Sequence, residues 1–200
     1  MTITNGYCTL DELKSALRIT DTLDDRLLEN SIEAASRRID GVCSRRFNLD
    51  SQATARTFAP ARFDHLEVDD IGTATGLVVK VDLTGNGVYS TTLTAGTDFQ
   101  LEPFNSFAKS EPVTALRALD TSFPVSSRRR ATMQVTARWG WPAIPDAIRE
   151  VAVLLAARHF RRADSPLGVA GFGELGVVFV RRTDPDIEAL LSPYRKVAVA

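Results

Sequence analysis

The chain has little of what catalytic, secreted or membrane proteins depend on. Its 200 residues include two cysteines, Cys8 and Cys43, and two histidines, His65 and His159. Two cysteines without metal-ligand spacing indicate reduced thiols in a cytosolic chain rather than a disulfide framework or a zinc site. The longest wholly apolar run, Val151–Ala157, is far shorter than the ~20 residues a membrane-spanning helix needs. Because no basic leader followed by an apolar run opens the chain, we expect a soluble, unsecreted protein without a membrane partner.

Excess charge of one sign is missing too. The formal net charge of -1 gives no global reason to expect a nucleic-acid or membrane partner. Lysine is scarce, however: the 24 cationic side chains are 20 arginines and 4 lysines. Arginine is the better interface cation, because its planar fork makes paired hydrogen bonds and is weakly hydrated. A G+C-rich genome would give the same bias, so both explanations stay open.

The sequence shows no pairing or spacing of residues that is typical of an active site. His65 follows Asp64, and adjacent residues of a strand point to opposite faces, so the two make a poor catalytic pair. His159 lies among arginines, and no Cys, His, Asp and Glu cluster has metal-ligand spacing. The run Arg128-Arg129-Arg130 has no interleaved aromatics and is read as a solvated loop of the strand-rich region. The sequence therefore predicts no catalytic residues, no metal and no cofactor, and a protein that is not an enzyme.

One motif formally matches a nucleotide site. Residues 171–176 (GFGELG) fit the G-x-G-x-x-G fingerprint of dinucleotide-binding proteins. That fingerprint must follow a strand and open a helix whose amino terminus holds the pyrophosphate. Here residues 164–166 (DSP) precede it and the strand-like residues 177–180 (VVFV) follow it. We therefore interpret this glycine-rich stretch as a segment that conforms to a partner.

Helical patterns occupy both ends of the chain. Thr9 and Glu12 match a capping box, which predicts a helix from Leu10 to about Arg18. A second helix is predicted from about residue 22 to Arg45 and Arg46. One face of it carries apolar residues at spacings of three and four: Leu28, Ile32, Ala35, Ile39 and Val42.

Helix returns after Pro145 and runs to about Ala163, and a last helix opens at residues 184–186 (DPD). Because Val151–Ala157 leaves no polar face, we expect the centre of the third helix to be buried. The second and third helices should share one core, to which six residues are assigned: Leu28, Ile32, Ile39, Ile148, Val151 and Leu155.

The period changes to two near Asn48. Short β-branched or alternating runs at 65–68, 77–81, 89–93, 99–101, 113–119 and 133–139 predict strands, and Gly85-Asn86-Gly87 predicts a hairpin turn. The predicted fold is α+β: a helical bundle of amino- and carboxyl-terminal helices, an inserted small antiparallel β-domain, and an extended glycine-rich carboxyl-terminal arm. The predicted boundaries are residues 1–50 and 140–200 for a discontinuous helical domain and 51–139 for the inserted β-domain.

Four segments together resemble the head-to-tail adaptor proteins of long-tailed bacteriophages, also called head-tail connector or head-completion proteins. They are residues 9–13 (TLDEL), the helix 23–46, residues 135–145 (VTARWGWPAIP) and, most specifically, residues 161–173 (RRADSPLGVAGFG) with residues 183–186 (TDPD) downstream. The resemblance implies a structural virion protein of the neck, between capsid and tail, assembled in the cytoplasm of the bacterial host.

The resemblance also implies partners. The chain would form a ring with itself, a dodecamer, beneath the portal protein, and would join it to a head-closure, stopper or tail-completion protein. DNA would pass through a central channel without sequence-specific binding. We predict that the glycine-rich arm and the last turn of the chain make the portal or intersubunit interface, with these residues: Leu167, Gly168, Gly171, Phe172, Gly173, Phe179, Arg181, Arg182 and Tyr194. Four arginines of the second helix are candidates for channel lining or intersubunit ion pairs: Arg37, Arg38, Arg45 and Arg46.

Two alternatives stay open. The first is a DNA-binding ring of the packaging machinery similar to a small terminase subunit, because the first two helices could form a helix-turn-helix. Asp21, Asp24 and Asp25 beside that turn speak against a surface that faces phosphates. The second is a small enzyme built on the β-domain, which would need a pocket and perturbed titratable groups.

Overall fold

A computed structural model describes residues 3–128, 130–163 and 185–196 of the chain. Within these residues the backbone forms four α-helices and six β-strands, so the α+β class predicted from the sequence is confirmed. Contacts divide the chain into two units. Met1–Arg45 with Ile144–Ala200, here the helical unit, contains the helices, and Arg46–Ala143, here the β-unit, contains the strands. Among the described helices, none combines the length and the apolar character needed to cross a membrane.

Helix α1, Leu10–Leu17, begins at the predicted capping box. The Glu12 backbone N–H donates to Thr9 Oγ1 at 3.2 Å, and the Thr9 N–H donates to Glu12 Oε2 at 2.7 Å. The two side chains thus satisfy backbone amides that the first turn of a helix leaves without partners. The helix ends at Arg18, whose left-handed backbone turns the chain away.

Helix α2, Asp25–Cys43, buries the face that its sequence predicts. Leu28, Ile32, Ala35 and Ile39 are buried. The assignment of Val42 to this face is wrong, because Cys43 takes the buried position one turn after Ile39 and leaves Val42 37% exposed. The predicted carboxyl end near residues 45 and 46 also lies too far along the chain, since Ser44 adopts the left-handed conformation that ends the helix.

Two further helices complete the helical unit. Helix α3, Asp146–Ala163, has the predicted bounds, and helix α4, Pro185–Leu191, is followed by a 3₁₀ turn at Ser192–Tyr194. All six residues assigned to the core of the second and third helices are buried, and α2 packs against α3. The expectation that the centre of this helix is buried is wrong at Leu154, which is 41% exposed.

The β-unit contains six strands among its described residues. Their bounds are β1 Thr54–Phe58, β2 His65–Val81, β3 Thr91–Leu93, β4 Phe99–Glu102, β5 Val113–Ala118 and β6 Met133–Trp139. Neighbouring strands follow the order β1-β6-β2-β5-β4, all pairs are antiparallel, and β3 also pairs with β2. A short 3₁₀ turn, Phe107–Lys109, lies between β4 and β5.

Strand β2 is one long bent strand where the sequence predicts two short ones. Its first half pairs with β5 and its second half with β6 and β3, with irregular register on both sides of Ile71. The bend lets both halves contribute to one buried cluster. That cluster includes Leu66, Val79, Phe99 and Trp139.

The end of β6 depends on a glycine. Gly140 has φ +111°, and its N–H donates to the Asp70 carbonyl oxygen at 2.7 Å. A Cβ at this position would lie 1.8 Å from the Asn48 carbonyl oxygen, so only glycine fits. The next residue, Trp141, is buried and donates its indole N–H to the Asp70 carboxylate at 3.1 Å.

Candidate assembly surface

One side of α2 is covered by the chain's own amino-terminal segment. The Tyr7 N–H donates to Ser36 Oγ at 3.0 Å, and the Tyr7 hydroxyl donates to the Asp40 carboxylate. Arg37 donates to the Asn5 carbonyl oxygen at 2.9 Å, forms an ion pair with Asp40 at 3.2 Å and lies over the Tyr7 ring. Arg37, the first of the four candidate arginines, therefore holds this segment on the helix.

Arg38, the next residue, belongs to a different group. It lies near His159 and Arg162 of α3, and we call these three residues the basic cluster. Burial, followed by the charges of Arg38 and Arg162, lowers the pKa of His159 below its usual value. Arg38 and Arg162 are exposed, and within the described part of the chain neither forms an ion pair. Among the described residues, the cluster thus presents two exposed cations without a paired carboxylate.

The carboxyl end of α2 is hydrogen-bonded to the segment that follows α4. The Lys196 N–H donates to the Cys43 carbonyl oxygen at 2.9 Å, and Arg195 forms an ion pair with Glu188. Burial raises the pKa of the Cys43 thiol to about 11, although Arg195 and Arg45 act to lower it. Arg45, the third candidate arginine, is half-buried beside this junction.

Of the remaining predicted site residues, the structure describes Arg46 and Tyr194, which belong to different units. Arg46 is exposed and begins the β-unit. Tyr194 is half-buried in the 3₁₀ turn after α4. The other eight predicted interface residues lie outside the described residues: Leu167, Gly168, Gly171, Phe172, Gly173, Phe179, Arg181 and Arg182.

An exposed apolar face of α2 was missed from the sequence. Leu27, Ala34 and Gly41 recur every seven residues, so they share one face of the helix, and all three are exposed. Leu27 is 45% exposed, and Leu154 of α3 is 41% exposed. The seven-residue spacing is present in the sequence, but the buried face of the same helix gives the stronger pattern. Small and apolar residues on a helix face permit close approach of another protein surface.

The residues just before α2 and in its first turn are acidic, whereas the basic cluster lies beside its later turns. Asp21 and Leu23 are exposed, and Leu23 is 89% exposed. Asp24 directly precedes the helix, and Asp25 in its first turn binds Lys14 Nζ at 2.7 Å. Arg38 lies 13 residues after Asp25, or roughly 20 Å along the helix at 1.5 Å per residue, so the acidic start and the basic cluster are separated on one unit.

This arrangement suits binding to another protein surface. Among the described residues no group of three or more His, Cys, Asp or Glu side chains is placed to hold a metal ion. The surface offers opposite charges at separate positions along one helix, which also carries an exposed apolar face. Such a surface can bind a protein that is complementary in charge.

Comparison with protein-family models gives one informative match. Residues 7–69 match the family of Phage gp6-like head-tail connector proteins. The resemblance to head-tail connector proteins is confirmed. The matched segment contains Tyr7 of the segment that covers α2, together with α1, α2, β1 and the first five residues of β2.

Solved structures share the fold of the whole chain. A chain in the neck of an empty gene transfer agent particle, computed with C6 symmetry, gives a TM-score of 0.59 at 19% identity, covering 100% of this chain and 95% of that one. A chain in the neck of the native particle, computed with C12 symmetry, gives 0.57 at 17% identity, with coverage of 100% and 94%. A chain of the native gene transfer agent virion gives 0.54 at 20% identity, with coverage of 100% and 95%. None of the curated proteins compared matches the chain.

Proposed function

We propose that this chain is a structural head-tail connector of a virion neck: a helical bundle with an inserted β-domain that works by assembly, without a catalytic site. The observation that carries the proposal is the likeness over the full length of the chain to chains of neck structures. The family match over residues 7–69 supports it independently, because it rests on sequence. Location in the virion neck and assembly in the host cytoplasm belong to the same proposal.

The connector is proposed to act as a ring of identical subunits, a dodecamer. Neck structures computed with C6 and C12 symmetry support a ring for this fold. A ring needs a heterologous interface, in which one surface of a subunit meets a different surface of the next. The charges of the helical unit offer such a pair: Asp21 at the start of α2 on one subunit and Arg38 of the basic cluster on its neighbour.

The exposed apolar residues would lie within the same contact. Leu27 and Leu154 are each more than two fifths exposed in the isolated chain, and burial against a neighbour would remove that apolar surface from water. Charge pairing then fixes the register of the contact, because like charges would meet if the ring closed in another register.

Residues 164–182 are proposed to make the contact with the portal protein or with a neighbouring subunit. Both ends of the 21-residue connection 164–184 are held, because α3 ends at Ala163 and α4 begins at Pro185, and the two helices pack against each other. A chain of this length anchored at both ends reaches at most about 35 to 40 Å from its anchors. Any partner that this connection contacts must therefore come within that distance of its anchors, Ala163 and Pro185.

A matched set of charge variants tests the ring. Arg38→Glu and Asp21→Arg should each abolish ring formation, because each places like charges across the proposed contact, and the double variant should restore it. Arg26→Glu, an exposed α2 residue outside the basic cluster, serves as the control. Native mass spectrometry of the purified protein measures the oligomer. Failure of the double variant to recover, with both single variants monomeric and folded, would reject the Asp21–Arg38 pairing but not the ring.

Microscopy of particles tests the connector itself. Particles made without this protein should be tailless heads, and complementation with the wild-type chain should restore the tail and a ring of density between head and tail. DNA is proposed to pass through that ring without sequence-specific binding. Sequence-specific binding with a steep salt dependence would instead favour the alternative of a packaging protein similar to a small terminase subunit.

A further inference from the structure

Three loops of the β-unit carry a concentration of exposed apolar side chains. The loops are residues 59–64 between β1 and β2, 82–90 between β2 and β3, and the described residues of 119–132 between β5 and β6, and we call them together the loop crown. Their exposed apolar residues are Phe63 at 66%, Leu83 at 65%, Val88 at 58%, Val125 at 49% and Leu119 at 43%. Single exposed apolar residues are ordinary, but several grouped at one place mark an interaction surface.

Hydrogen bonds join the three loops to one another. The Phe123 N–H donates to the Phe63 carbonyl oxygen at 2.7 Å, which joins the first loop to the third. The Asp82 N–H donates to the Thr132 carbonyl oxygen at 2.8 Å, and the Tyr89 hydroxyl donates to the Ala131 carbonyl oxygen at 3.0 Å. These last two bonds join the second loop to the third, so the exposed side chains are carried by one connected structure.

The second loop is organised by a buried carboxylate. Asp82 is 3% exposed and accepts the backbone N–H groups of Thr84, Gly85, Asn86 and Gly87, at distances from 2.7 to 3.3 Å. Leu83 and Val88, on either side of these donors, are thereby presented outward on a fixed backbone. Preorganised apolar side chains bind a partner with less loss of conformational entropy than mobile ones.

The described part of the loop crown carries three arginines, Arg62, Arg128 and Arg130, and one exposed carboxylate, Asp120. Arg62 is neutralised by Asp64 through two hydrogen bonds of 3.0 and 2.9 Å. Arg128 is exposed and forms no ion pair within the described residues, while Arg130 donates to the Gly85 carbonyl oxygen and keeps its charge uncompensated. Arginine beside exposed apolar residues is typical of protein interfaces, and its charge selects carboxylates on the other side.

We propose that the loop crown is a second docking surface, which binds an acidic protein surface of another component of the particle. This inference rests on the proposed function as a connector. Charge complementarity selects the occupant, because the apolar surface would meet apolar residues while Arg128 and Arg130 meet Asp or Glu side chains.

Photo-crosslinking in assembled particles tests the proposal. A benzoylphenylalanine is placed at Val125 in the crown or, as control, at Phe104, which is 60% exposed but follows β4 at the opposite end of the β4–β5 pair. The Val125 variant should crosslink to a peptide of another particle protein that contains Asp or Glu, and the Phe104 variant should not. Crosslinking at Val125 to a second copy of this chain, to DNA, or to nothing would overturn the proposal.

A charge swap tests the arginines. Arg128→Glu should reduce incorporation of this chain into particles roughly tenfold, as loss of a central interface contact does. Lysine in place of the acidic residue in the crosslinked peptide should restore incorporation. No loss with Arg128→Glu, or no recovery, would contradict an acidic partner.

Membrane binding is the competing explanation for apolar loops beside arginines. Flotation of the purified protein with phosphatidylglycerol vesicles, lost in Phe63→Ser but not in Phe104→Ser, would overturn the proposal in favour of a lipid surface. A failure of the proposed connector function would give a different experimental result from a failure of the crown proposal. If the wild-type chain is missing from purified particles, the proposed function fails, whereas a chain present at wild-type level without crown crosslinks rejects the crown alone.

Discussion

Each of the two units of this chain is stabilised by a different kind of interaction. The helical unit is specified mainly by side chains: apolar residues three and four apart form the buried faces of α2 and α3. The β-unit depends in addition on backbone geometry, with a bent strand, a turn organised by Asp82 and a glycine at the end of β6. The stability of the first should therefore respond to side-chain volume, and that of the second to backbone constraint.

Two spectroscopic signals of the native chain report the unfolding of the two units separately. Both tryptophans, Trp139 and Trp141, are buried in the β-unit, so tryptophan fluorescence reports unfolding there. The α-helices all lie in the helical unit within the described residues, so far-ultraviolet circular dichroism is weighted towards it. Urea unfolding followed by both signals measures each unit in the intact protein.

The largest effect is expected for Gly140→Ala. The new Cβ would overlap the Asn48 carbonyl oxygen at 1.8 Å, and alanine disfavours φ +111°. We expect a loss of more than about 3 kcal/mol in the free energy of unfolding, seen by fluorescence. Gly87→Ala is the matched control, because φ is +87° but no atom lies within 4 Å of the new Cβ. Equal losses for the two variants would show that the overlap contributes nothing.

In the helical unit, neighbouring leucines provide the next test. Leu155 is 6% exposed, whereas Leu154 is 41% exposed. Leu155→Ala should lower the free energy of unfolding by about 2 to 5 kcal/mol through lost burial and an unfilled cavity. Leu154→Ala should change it far less, measured by circular dichroism on the monomeric protein. Equal effects would contradict the assignment of Leu155 to the core.

A smaller, pH-dependent effect is expected at Asp82. Burial raises the pKa of this carboxyl, but the N–H donors of Gly87, Gly85, Thr84 and Asn86 outweigh it, so the pKa lies below its usual value of 3.8. A depressed pKa stabilises the folded state above the unfolded-state value, and this contribution is lost as the pH falls through the folded-state value. Asp82→Asn should therefore destabilise the β-unit at neutral pH, and the difference from wild type should shrink below about pH 4.

Fluorescence-detected urea unfolding between pH 7 and pH 3 checks this prediction. Asp120→Asn, an exposed residue of the loop 119–132, is the control and should leave the pH dependence of stability as in the wild type. If the free energy of unfolding differed between Asp82→Asn and wild type by the same amount at every pH, the charge of the Asp82 carboxylate would not be what stabilises the loop.

The smallest effect has the opposite sign. Gly41 lies inside α2, and a Cβ added there would have no atom within 4 Å, so alanine fits and favours the helix. Gly41→Ala should raise the free energy of unfolding of the helical unit by about 0.5 to 1 kcal/mol. The same substitution thus stabilises one unit and disrupts the other. A destabilised Gly41→Ala protein by circular dichroism would show that this helix face is already packed.

The sequence predicted the helical elements better than the strands, for a physical reason. The start of α1 and both bounds of α3 follow from local signals: a capping box, a proline before the first turn and a continuous apolar period. Strand β1, Thr54–Phe58, was missed because it is mostly exposed and lacks alternation. Strand β2 was divided in two because the turn-like residues 72–76 lie at its bend, where only pairing partners distant in the chain keep it extended.

The candidate site was less predictable than the fold. A charged residue shows its sign in the sequence but not its partners, and Arg37 and Arg38 illustrate the limit. The two are adjacent, yet Arg37 is engaged by Asp40 and Asn5 while Arg38 lies beside His159, 121 positions away in the chain. Exposure of Leu154 likewise depends on which side of α3 the other helices cover. Both facts require tertiary packing, which no local pattern contains.

The scarcity of cysteine has a practical consequence for studying assembly. Cys8 and Cys43 are both buried in the helical unit, and burial raises the pKa of their thiols to about 12 and about 11. The reactive thiolate is therefore rare at neutral pH, and the folded chain is silent to maleimide reagents. A cysteine introduced at Leu27 or Val125 would carry a label without background. The two native thiols would in turn report opening of the helical unit, as the tryptophans report that of the β-unit.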